Sequence, residues 1–212
     1  MLRFKKIFNF IRKSSSKDIA FSIVFICNRL LIKLLQLPRV IFYRLLSNCA
    51  GYSKCVKVNQ PILKVGKGVI DLENCTIGFW PSPYFLTTYA HIEARNCTAK
   101  VFIGSGTCVN NNAVIIADKS SIFIGDKVLI GANVFITDSD FHGLEPENRL
   151  NGKYNCQPVS INENVFIGSN VTILKGVTIG TNSVISAGAV VSKNIPDNVI
   201  AGGIPARVIR NL

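Results

Sequence analysis

Residues 161–196 read INENVFIGSNVTILKGVTIGTNSVISAGAVVSKNIP, and one pattern repeats there every six positions. Ile or Val begins each of six consecutive hexads, at Ile161, Ile167, Ile173, Ile179, Ile185 and Val191. Ile and Val make up 47 of the 212 residues, so six successive matches arise by chance at roughly one starting point in ten thousand. The same hexads occur earlier, beginning at Ile103, Val109, Ile115, Ile124, Ile130 and Ile136.

A period of six is neither the 3.6 of a helix nor the 2 of a simple strand. It indicates flat sides of about six residues joined by corners, three sides to a coil, with coils stacked at about 4.8 Å, the spacing of strands in a sheet. We therefore predict an all-β fold, a parallel β-helix over residues 101–196. Irregular early coils and a loop are predicted for 51–100. A C-terminal cap at 197–212 is predicted to end as a short helix after Pro196.

Charge is distributed unevenly along the chain. The formal net charge is +12, but residues 1–44 hold ten of the 24 Lys and Arg residues and one of the 12 acidic residues. The other 168 residues carry 14 basic and 11 acidic side chains. A nucleic-acid-binding body would need basic stripes interleaved with aromatic residues. The sequence shows none, so we expect no nucleic-acid partner.

Residues 1–50 are predicted to form a basic, amphipathic helical arm. Its apolar run is followed by Arg29 and Lys33, which fall within any window of about twenty residues that a spanning helix would need. The tripeptide Asn28-Arg29-Leu30 is not a signal-peptide cleavage site, so we expect the arm to be retained. Residues 1–45 suit peripheral contact with an anionic membrane surface. Packing of the arm on the β-helix or on a neighbouring subunit is the alternative.

The numbers of cysteines and histidines argue against a disulfide framework and against a histidine-rich metal site. The seven cysteines include no CxxC pair, and an odd number fits no closed disulfide framework. We interpret them as reduced apolar residues of a cytoplasmic protein. The two histidines, His91 and His142, are too few for a three-histidine metal site within one chain. We therefore expect no metal, and we interpret His91 as structural.

The hexads, a loop bearing His142 that interrupts them, and the ending AGGIPARVI at 201–209 together resemble the hexapeptide-repeat acyltransferases. The resemblance covers about residues 92–210, and it is to the branch with galactoside, maltose and cell-surface-polysaccharide O-acetyltransferases. Members of this family are homotrimers of left-handed parallel β-helices that transfer an acetyl group from acetyl-CoA. The resemblance therefore implies the left hand, the homotrimer and the donor.

The hexad pattern fails over residues 137–160, a predicted catalytic loop that begins TDSDFHGLEPENR. Loops on rigid scaffolds commonly carry binding and catalytic residues. Transfer of an acetyl group from a thioester to a hydroxyl needs a base, and the pKa of histidine suits that task. His142 aligns with the family's catalytic base, so the resemblance implies this role for it. Acidic residues of the loop are candidates to orient its ring, and spacing does not choose among Asp138, Asp140 and Glu145.

Three further residues match positions that contact the acceptor in the family. They are Asn111, Asp118 and Arg149. Asn is also common at coil corners, where it tolerates tight turns. Lys119 departs from the galactoside-type pattern and argues against simple galactosides as acceptors. Arg149 is expected either to clamp the acceptor or to brace the loop.

A second set of residues matches positions that bind the donor. Small side chains leave a groove for the pantetheine arm of CoA, and basic side chains meet its phosphates. The set comprises Gly131, Ser169, Ala187, Ser192, Lys193, Arg207 and Arg210.

These features predict an acetyl-CoA-dependent O-acetyltransferase that modifies a sugar of a bacterial surface polysaccharide or its precursor, at the cytoplasmic face of the membrane. One alternative is a family enzyme with another acceptor, such as a nucleotide-linked amino sugar, serine or an antibiotic hydroxyl. The other is a catalytically silent β-helix scaffold. A silent scaffold has no need to keep His142, Lys193 and the terminal arginines, which argues against it.

Overall fold

The computed structural model describes residues 16–151 and 153–212. The chain divides after Arg39 into two compact units, Met1–Arg39 and Val40–Leu212. The predicted N-terminal helix is confirmed as α1 (Ser16–Leu46), which contains Pro38. The basic positions of the arm that precede Ser16 lie outside the described residues.

Within the first unit, α1 exposes apolar side chains in several directions. Ile23, Val24, Phe25 and Ile26 are each more than half exposed. Because successive helical residues are rotated by about 100°, four in a row point around the whole helix. Across the described residues, no helix is long and apolar enough to span a membrane.

Three sheets form the second unit, and each coil contributes one strand to each sheet. Sheet A comprises β1 (Ser53–Lys54), β4 (Val69–Glu73), β7 (Lys100–Ile103), β10 (Ser121–Ile124), β13 (Val159–Ile161) and β16 (Thr178–Ile179). Sheet B comprises β2 (Lys57–Val58), β5 (Thr76–Ile77), β8 (Cys108–Val109), β11 (Leu129–Ile130), β14 (Phe166–Ile167), β17 (Val184–Ile185), β19 (Val199–Gly203) and β20 (Ala206–Asn211). Sheet C comprises β3 (Ile62–Gly66), β6 (Ala90–Ala94), β9 (Val114–Ala117), β12 (Phe135–Thr137), β15 (Thr172–Ile173) and β18 (Val190–Val191).

Strand register stacks the hexad residues into aliphatic ladders inside the coils. The ladder of sheet C is Ile92, Ile115, Ile136, Ile173 and Val191. All five are buried, as are the equivalent Ile and Val residues of sheets A and B. Each fully buried side chain of this kind stabilises the fold by about 1.5–3 kcal/mol. The hexad positions are therefore the inward positions of the coils.

Asparagines shape the corners between the sheets. Asn112, Asn133 and Asn170 all have positive φ, a conformation that Asn adopts more readily than other side-chain-bearing residues. Their amides are hydrogen-bonded from coil to coil, at 2.8 Å between Asn112 and Asn133 and 2.9 Å between Asn133 and Asn170. These ladders join the corners of successive coils on the outside of the column.

The β-helix begins earlier in the chain than the regular hexads of the sequence. Residues 51–100 already contain paired parallel strands from β1 onward, and the inward positions Leu72, Ile77 and Ile92 are buried. The hexad spacing is hidden here because a loop separates β5 from β6.

The C-terminal helix was predicted wrongly. Residues 206–211 form β20, which pairs antiparallel with β19 across a turn at Ile204-Pro205. Val208 and Ile209 are β-branched and favour a strand. β20 also supplies hydrogen-bond partners to β19, which would otherwise be an open edge of sheet B.

Candidate active site

The loop predicted to be catalytic leaves the column directly after β12, at the corner that follows sheet C. Residues at this corner in the neighbouring coils surround the start of the loop. They include Arg95 after β6, Asp118 and Lys119 after β9, and Lys175 after β15. The site is therefore built from four successive coils and one loop.

His142 is exposed, and its ring is fixed from one side by the backbone. Its Nδ1 lies 2.9 Å from the carbonyl oxygen of Arg149. A carbonyl only accepts hydrogen bonds, so this contact assigns the hydrogen to Nδ1 and leaves the lone pair on Nε2. The ring lines a cavity of about 410 Å³ together with Glu145, Lys153 and Tyr154. The side chain is thus placed to accept a proton within a polar cavity.

Within residues 22–151 and 153–212, no hydrogen bond joins the His142 ring to any of the three carboxylates that the sequence offered as its partners. Asp138 is fully buried and accepts the N–H groups of Asp118 and Ser120, each at 2.7 Å. Burial raises the pKa of Asp138. Asp140 forms an ion pair with Lys175 at 2.9 Å, and Glu145 is exposed at the cavity. The backbone carbonyl of Arg149 orients the ring instead.

Asp118 is predicted to contact the acceptor, but it does not line the cavity. Its side chain is fully buried, and its two oxygens accept hydrogen bonds from Asn96 Nδ2 at 2.8 Å and Ser139 Oγ at 3.1 Å. Hydrogen bonding to Asp118 and partial burial raise the pKa of Tyr154, which lines the cavity. The Lys119 ammonium lies 3.6 Å from the centre of the Tyr154 ring. Asp118 therefore anchors the two ends of the loop, and its burial leaves neither carboxylate oxygen exposed to an acceptor.

Arg95 and Phe141 also belong to the site, although no pattern in the sequence points to them. Phe141 has a φ of +62°, which is unusual for a bulky side chain. The Arg95 guanidinium lies 4.9 Å from the centre of the Phe141 ring, and its Nε donates to Glu93 at 2.7 Å. Burial opposes ionisation of Glu93, but hydrogen bonds from Arg95 and His91 lower its pKa overall. The strained residue directly before His142 is thus held by a side chain two coils away.

Asn111 is separated from the rest of the predicted acceptor-binding set. It follows β8, at the corner after sheet B, and is fully buried. Its Oδ1 accepts the N–H of Phe79 at 3.0 Å, and its amide nitrogen lies within 3.1 Å of the carbonyls of Phe79, Ser82 and Pro83. Every polar atom of the amide has a partner in the 79–83 loop. The predicted contact with an acceptor is incompatible with this packing, and Asn111 instead anchors that loop.

Three of the predicted donor-binding residues lie together at the corner after sheet B. Strand register stacks Gly131, Gly168, Ser186 and Gly202 there, with Ser169 and Ala187 next to them. A Cβ on Gly131 would lie 2.6 Å from the backbone nitrogen of Ser169. The glycine is therefore required by the close approach of the coils. The result is a stripe of small residues along the column.

The terminal arginines extend this stripe. Arg207 pairs with Gly202 and Arg210 pairs with Ile200, two positions apart on β19. A bulge at Ile209 accounts for the extra residue of β20 and brings both exposed arginines to one face. Ser192 and Lys193 are exposed at the other corner, after β18. The predicted donor-binding residues thus form two groups on opposite edges of sheet C.

The sequence comparisons identify the family. The family model for the hexapeptide repeat of succinyl-transferase matches residues 99–138 and 158–193, the two runs of hexads that flank the His142 loop. A Saccharomyces cerevisiae protein named as an acetyltransferase is 41% identical over 141 residues, which is 66% of this chain and 67% of that protein. This chain belongs to the hexapeptide-repeat acetyltransferase family. The left hand of its parallel β-helix follows from that membership.

Other relatives include two named galactoside O-acetyltransferases. That of Lactococcus lactis is 41% identical and that of Escherichia coli 46%, over 66% and 54% of this chain. The matches span 61% and 55% of those two proteins. Among solved structures, a hexapeptide-repeat acetyltransferase of Vibrio cholerae, complexed with acetyl-CoA, is 29% identical with a TM-score of 0.52 and covers 87% of this chain and 84% of that one. A polysialic-acid-specific acetyltransferase is 26% identical with a TM-score of 0.53, over 76% and 68%.

Proposed function

We propose that this chain is an acetyl-CoA-dependent O-acetyltransferase that modifies a sugar hydroxyl, in the synthesis of a bacterial surface polysaccharide. The observation that carries the proposal is His142, exposed in a polar cavity with Nδ1 fixed by the Arg149 carbonyl. The relatives named galactoside, lipopolysaccharide and polysialic acid O-acetyltransferases support a sugar as the acceptor.

The geometry of His142 suits general-base catalysis. Nε2 accepts the proton of the acceptor hydroxyl as its oxygen attacks the thioester carbonyl of acetyl-CoA. When the tetrahedral intermediate collapses, the carbon–sulfur bond breaks and the imidazolium returns the proton to the departing thiolate. The Arg149 carbonyl stabilises the imidazolium during this interval, because it accepts a hydrogen bond from Nδ1 in both protonation states.

Residues of the column fit the donor. The stripe at Gly131, Ser169 and Ala187 has no bulky side chain, and it ends at the exposed guanidinium groups of Arg207 and Arg210. A pantetheine arm would lie along the small residues, and the CoA phosphates would meet the arginines. Lys193, at the opposite corner, would add a further cation beside the His142 loop.

The separation of these groups supports an assembly with shared sites. The His142 loop and the small-residue stripe lie on opposite edges of sheet C, so one chain does not bring them together. We propose a homotrimer in which the loop of one subunit faces the stripe of the next. A monomer that retains full turnover would contradict this arrangement.

The arm is proposed to hold the enzyme at the cytoplasmic face of the membrane. Its described part exposes Ile23, Val24, Phe25 and Ile26, with Arg29 on the same helix. Apolar side chains can enter the interface of a bilayer while basic residues meet anionic lipids. Binding should weaken at high salt.

The test is release of CoA from acetyl-CoA in the presence of a panel of sugar, nucleotide-sugar, serine and antibiotic acceptors. Acceptor-dependent release with a polysaccharide or its precursor is expected. Arg207→Ala with Arg210→Ala should raise the KM for acetyl-CoA more than it lowers kcat, because phosphate contacts lie far from the thioester. Release that no acceptor stimulates would contradict the proposal, and selective stimulation by a non-sugar acceptor would replace the substrate class.

A further inference from the structure

The first coil breaks the pattern of the aliphatic ladders. Register places Lys64 of β3 in line with Ile92 and the rest of the sheet C ladder. Ser53 of β1 is likewise in line with Leu72 and the sheet A ladder. A lysine and a serine thus occupy two inward positions that hold aliphatic residues in the later coils.

These two side chains are in contact with each other. Lys64 Nζ donates to Ser53 Oγ at 3.1 Å, and Lys64 is half-buried. No ion pair involving Lys64 or Arg44 is formed within residues 22–151 and 153–212. Arg44 is exposed, and two cations without a counter-ion attract an anion.

A cavity of about 690 Å³ opens around Lys64. Its other cation is Arg44, near the end of α1, and its lining includes no Asp or Glu. Apolar side chains line the rest, including Val40, Val56 and Val58, and Leu72 of the second coil, which is 1% exposed, closes the bottom. The volume lies in the range of ordinary ligand sites. None of its lining residues belongs to the His142 cavity.

We propose that this end of the β-helix binds one anionic lipid, with its carboxylate or phosphate between Lys64 and Arg44 and its acyl chain against Val56, Val58 and Leu72. Charge complementarity selects the anion, and the apolar floor selects a chain-bearing molecule over a free phosphate. Within the same unit, the end of α1 also exposes Ile41, Phe42 and Leu45. Apolar residues beside the mouth of the cavity suit a lipid that is taken from a bilayer.

A terminal coil with polar inward residues could also serve only to protect the end of the column from association. That role needs polarity but not two cations converging on an apolar cavity. The two explanations differ in whether the cavity has a saturable ligand, which can be measured directly.

The experiment is a fluorescence titration of the full chain with cis-parinaric acid, a fatty acid that fluoresces in apolar sites. Saturable binding at one site per chain is expected. Arg44→Gln with Lys64→Gln should weaken it by at least about tenfold, the scale of lost charge-assisted contacts. Val58→Trp, which narrows the cavity but keeps both cations, should also weaken it. Lys54→Gln with Lys57→Gln is the matched control, since both lysines are exposed on the first coil but outside the cavity.

Three outcomes would overturn the proposal. The first is equal loss in the target and control double variants, because overall charge would then explain binding. The second is unchanged binding in the target variant. The third is displacement of the probe by inorganic phosphate as effectively as by oleate, since the site would then recognise an anion and not a lipid. Acetyl transfer is not a readout here, so the result is independent of the function proposed for His142.

Discussion

The aliphatic column and the His142 loop are stabilised in opposite ways. In the column, each inward residue repeats the contacts of the residue one coil below, and the ladders of sheets A, B and C bury the same kind of side chain many times. In the loop, each contact occurs once: Arg149 carbonyl to His142, Lys175 to Asp140, and Arg95 to Phe141. Repetition makes the column stable, but its repeated inward aliphatic side chains offer no reactive group. The loop carries chemically different groups, and each of them is held by a contact that occurs only once.

This contrast predicts that column and loop substitutions separate stability from activity. A change in the column should lower the free energy of unfolding, with activity lost only as the protein unfolds. A change in the loop should lower turnover while the column stays folded.

The largest effect is expected for His142→Ala. It should fold and bind CoA normally but lose roughly two to four orders of magnitude in kcat, the usual contribution of a positioned general base. The ring is exposed and belongs to no aliphatic ladder, so no core contact is removed. A pH–rate profile with a confirmed acceptor is the measurement. The wild-type rate should fall at acidic pH, because only a neutral imidazole accepts a proton, and the variant should lack this acid limb. A variant that keeps the limb, or more than about a tenth of kcat, would exclude His142 as the base.

In the column, Ile167→Ala should lower the free energy of unfolding by about 2–5 kcal/mol. Ile167 is fully buried between Ile130 and Ile185, and truncation leaves a cavity in the sheet B ladder. Leu144→Ala is the matched control, because Leu144 lies in the loop and is 71% exposed. Urea unfolding should show little change for Leu144→Ala. Similar losses for both variants would mean that the loop is part of the cooperative core.

The same contrast explains what the sequence could predict. Every coil requires an inward Ile or Val at a fixed spacing, so the pattern exposes the column even without an alignment. Contacts such as Arg95 with Phe141 join residues 46 positions apart, and no local spacing encodes them. At Asn111 the sequence position was misleading. It suggested a sugar contact, but the side chain is buried and makes four hydrogen bonds to the backbone of the 79–83 loop. The C-terminal strand was missed because the need of β19 for an edge partner is a property of the sheet.

Asp138→Asn tests the junction between the two regions, with an expected loss of about 1–3 kcal/mol in unfolding free energy at neutral pH. Both carboxylate oxygens accept backbone N–H groups, and an amide would turn a donor toward one of them. Burial raises the pKa of Asp138. Its protonation therefore contributes stability below the unfolded pKa, and this contribution is lost as pH rises through the folded pKa. Between pH about 4 and about 7, the difference in unfolding free energy between wild type and Asp138→Asn should become smaller as pH rises. A difference that becomes larger would contradict the raised pKa of Asp138.

The smallest effect is expected for Arg95→Met, which keeps the length of the side chain but removes its charge. Arg95 lies outside the cavity and touches Phe141 rather than His142, so it acts as a positioning residue. A cation–π contact of about 0.5–2 kcal/mol corresponds to a loss in kcat of about two- to thirtyfold. The KM for acetyl-CoA should not change, and the acid limb of the pH–rate profile should stay in place because His142 is still the base. Arg95→Lys should recover part of the rate, since an ammonium can also lie over the ring.

In the background of His142→Ala, Arg95→Met should have almost no further effect on kcat, because a residue that acts by positioning His142 has no effect once the imidazole is removed. Additive losses in that double variant would show that Arg95 contributes by another route.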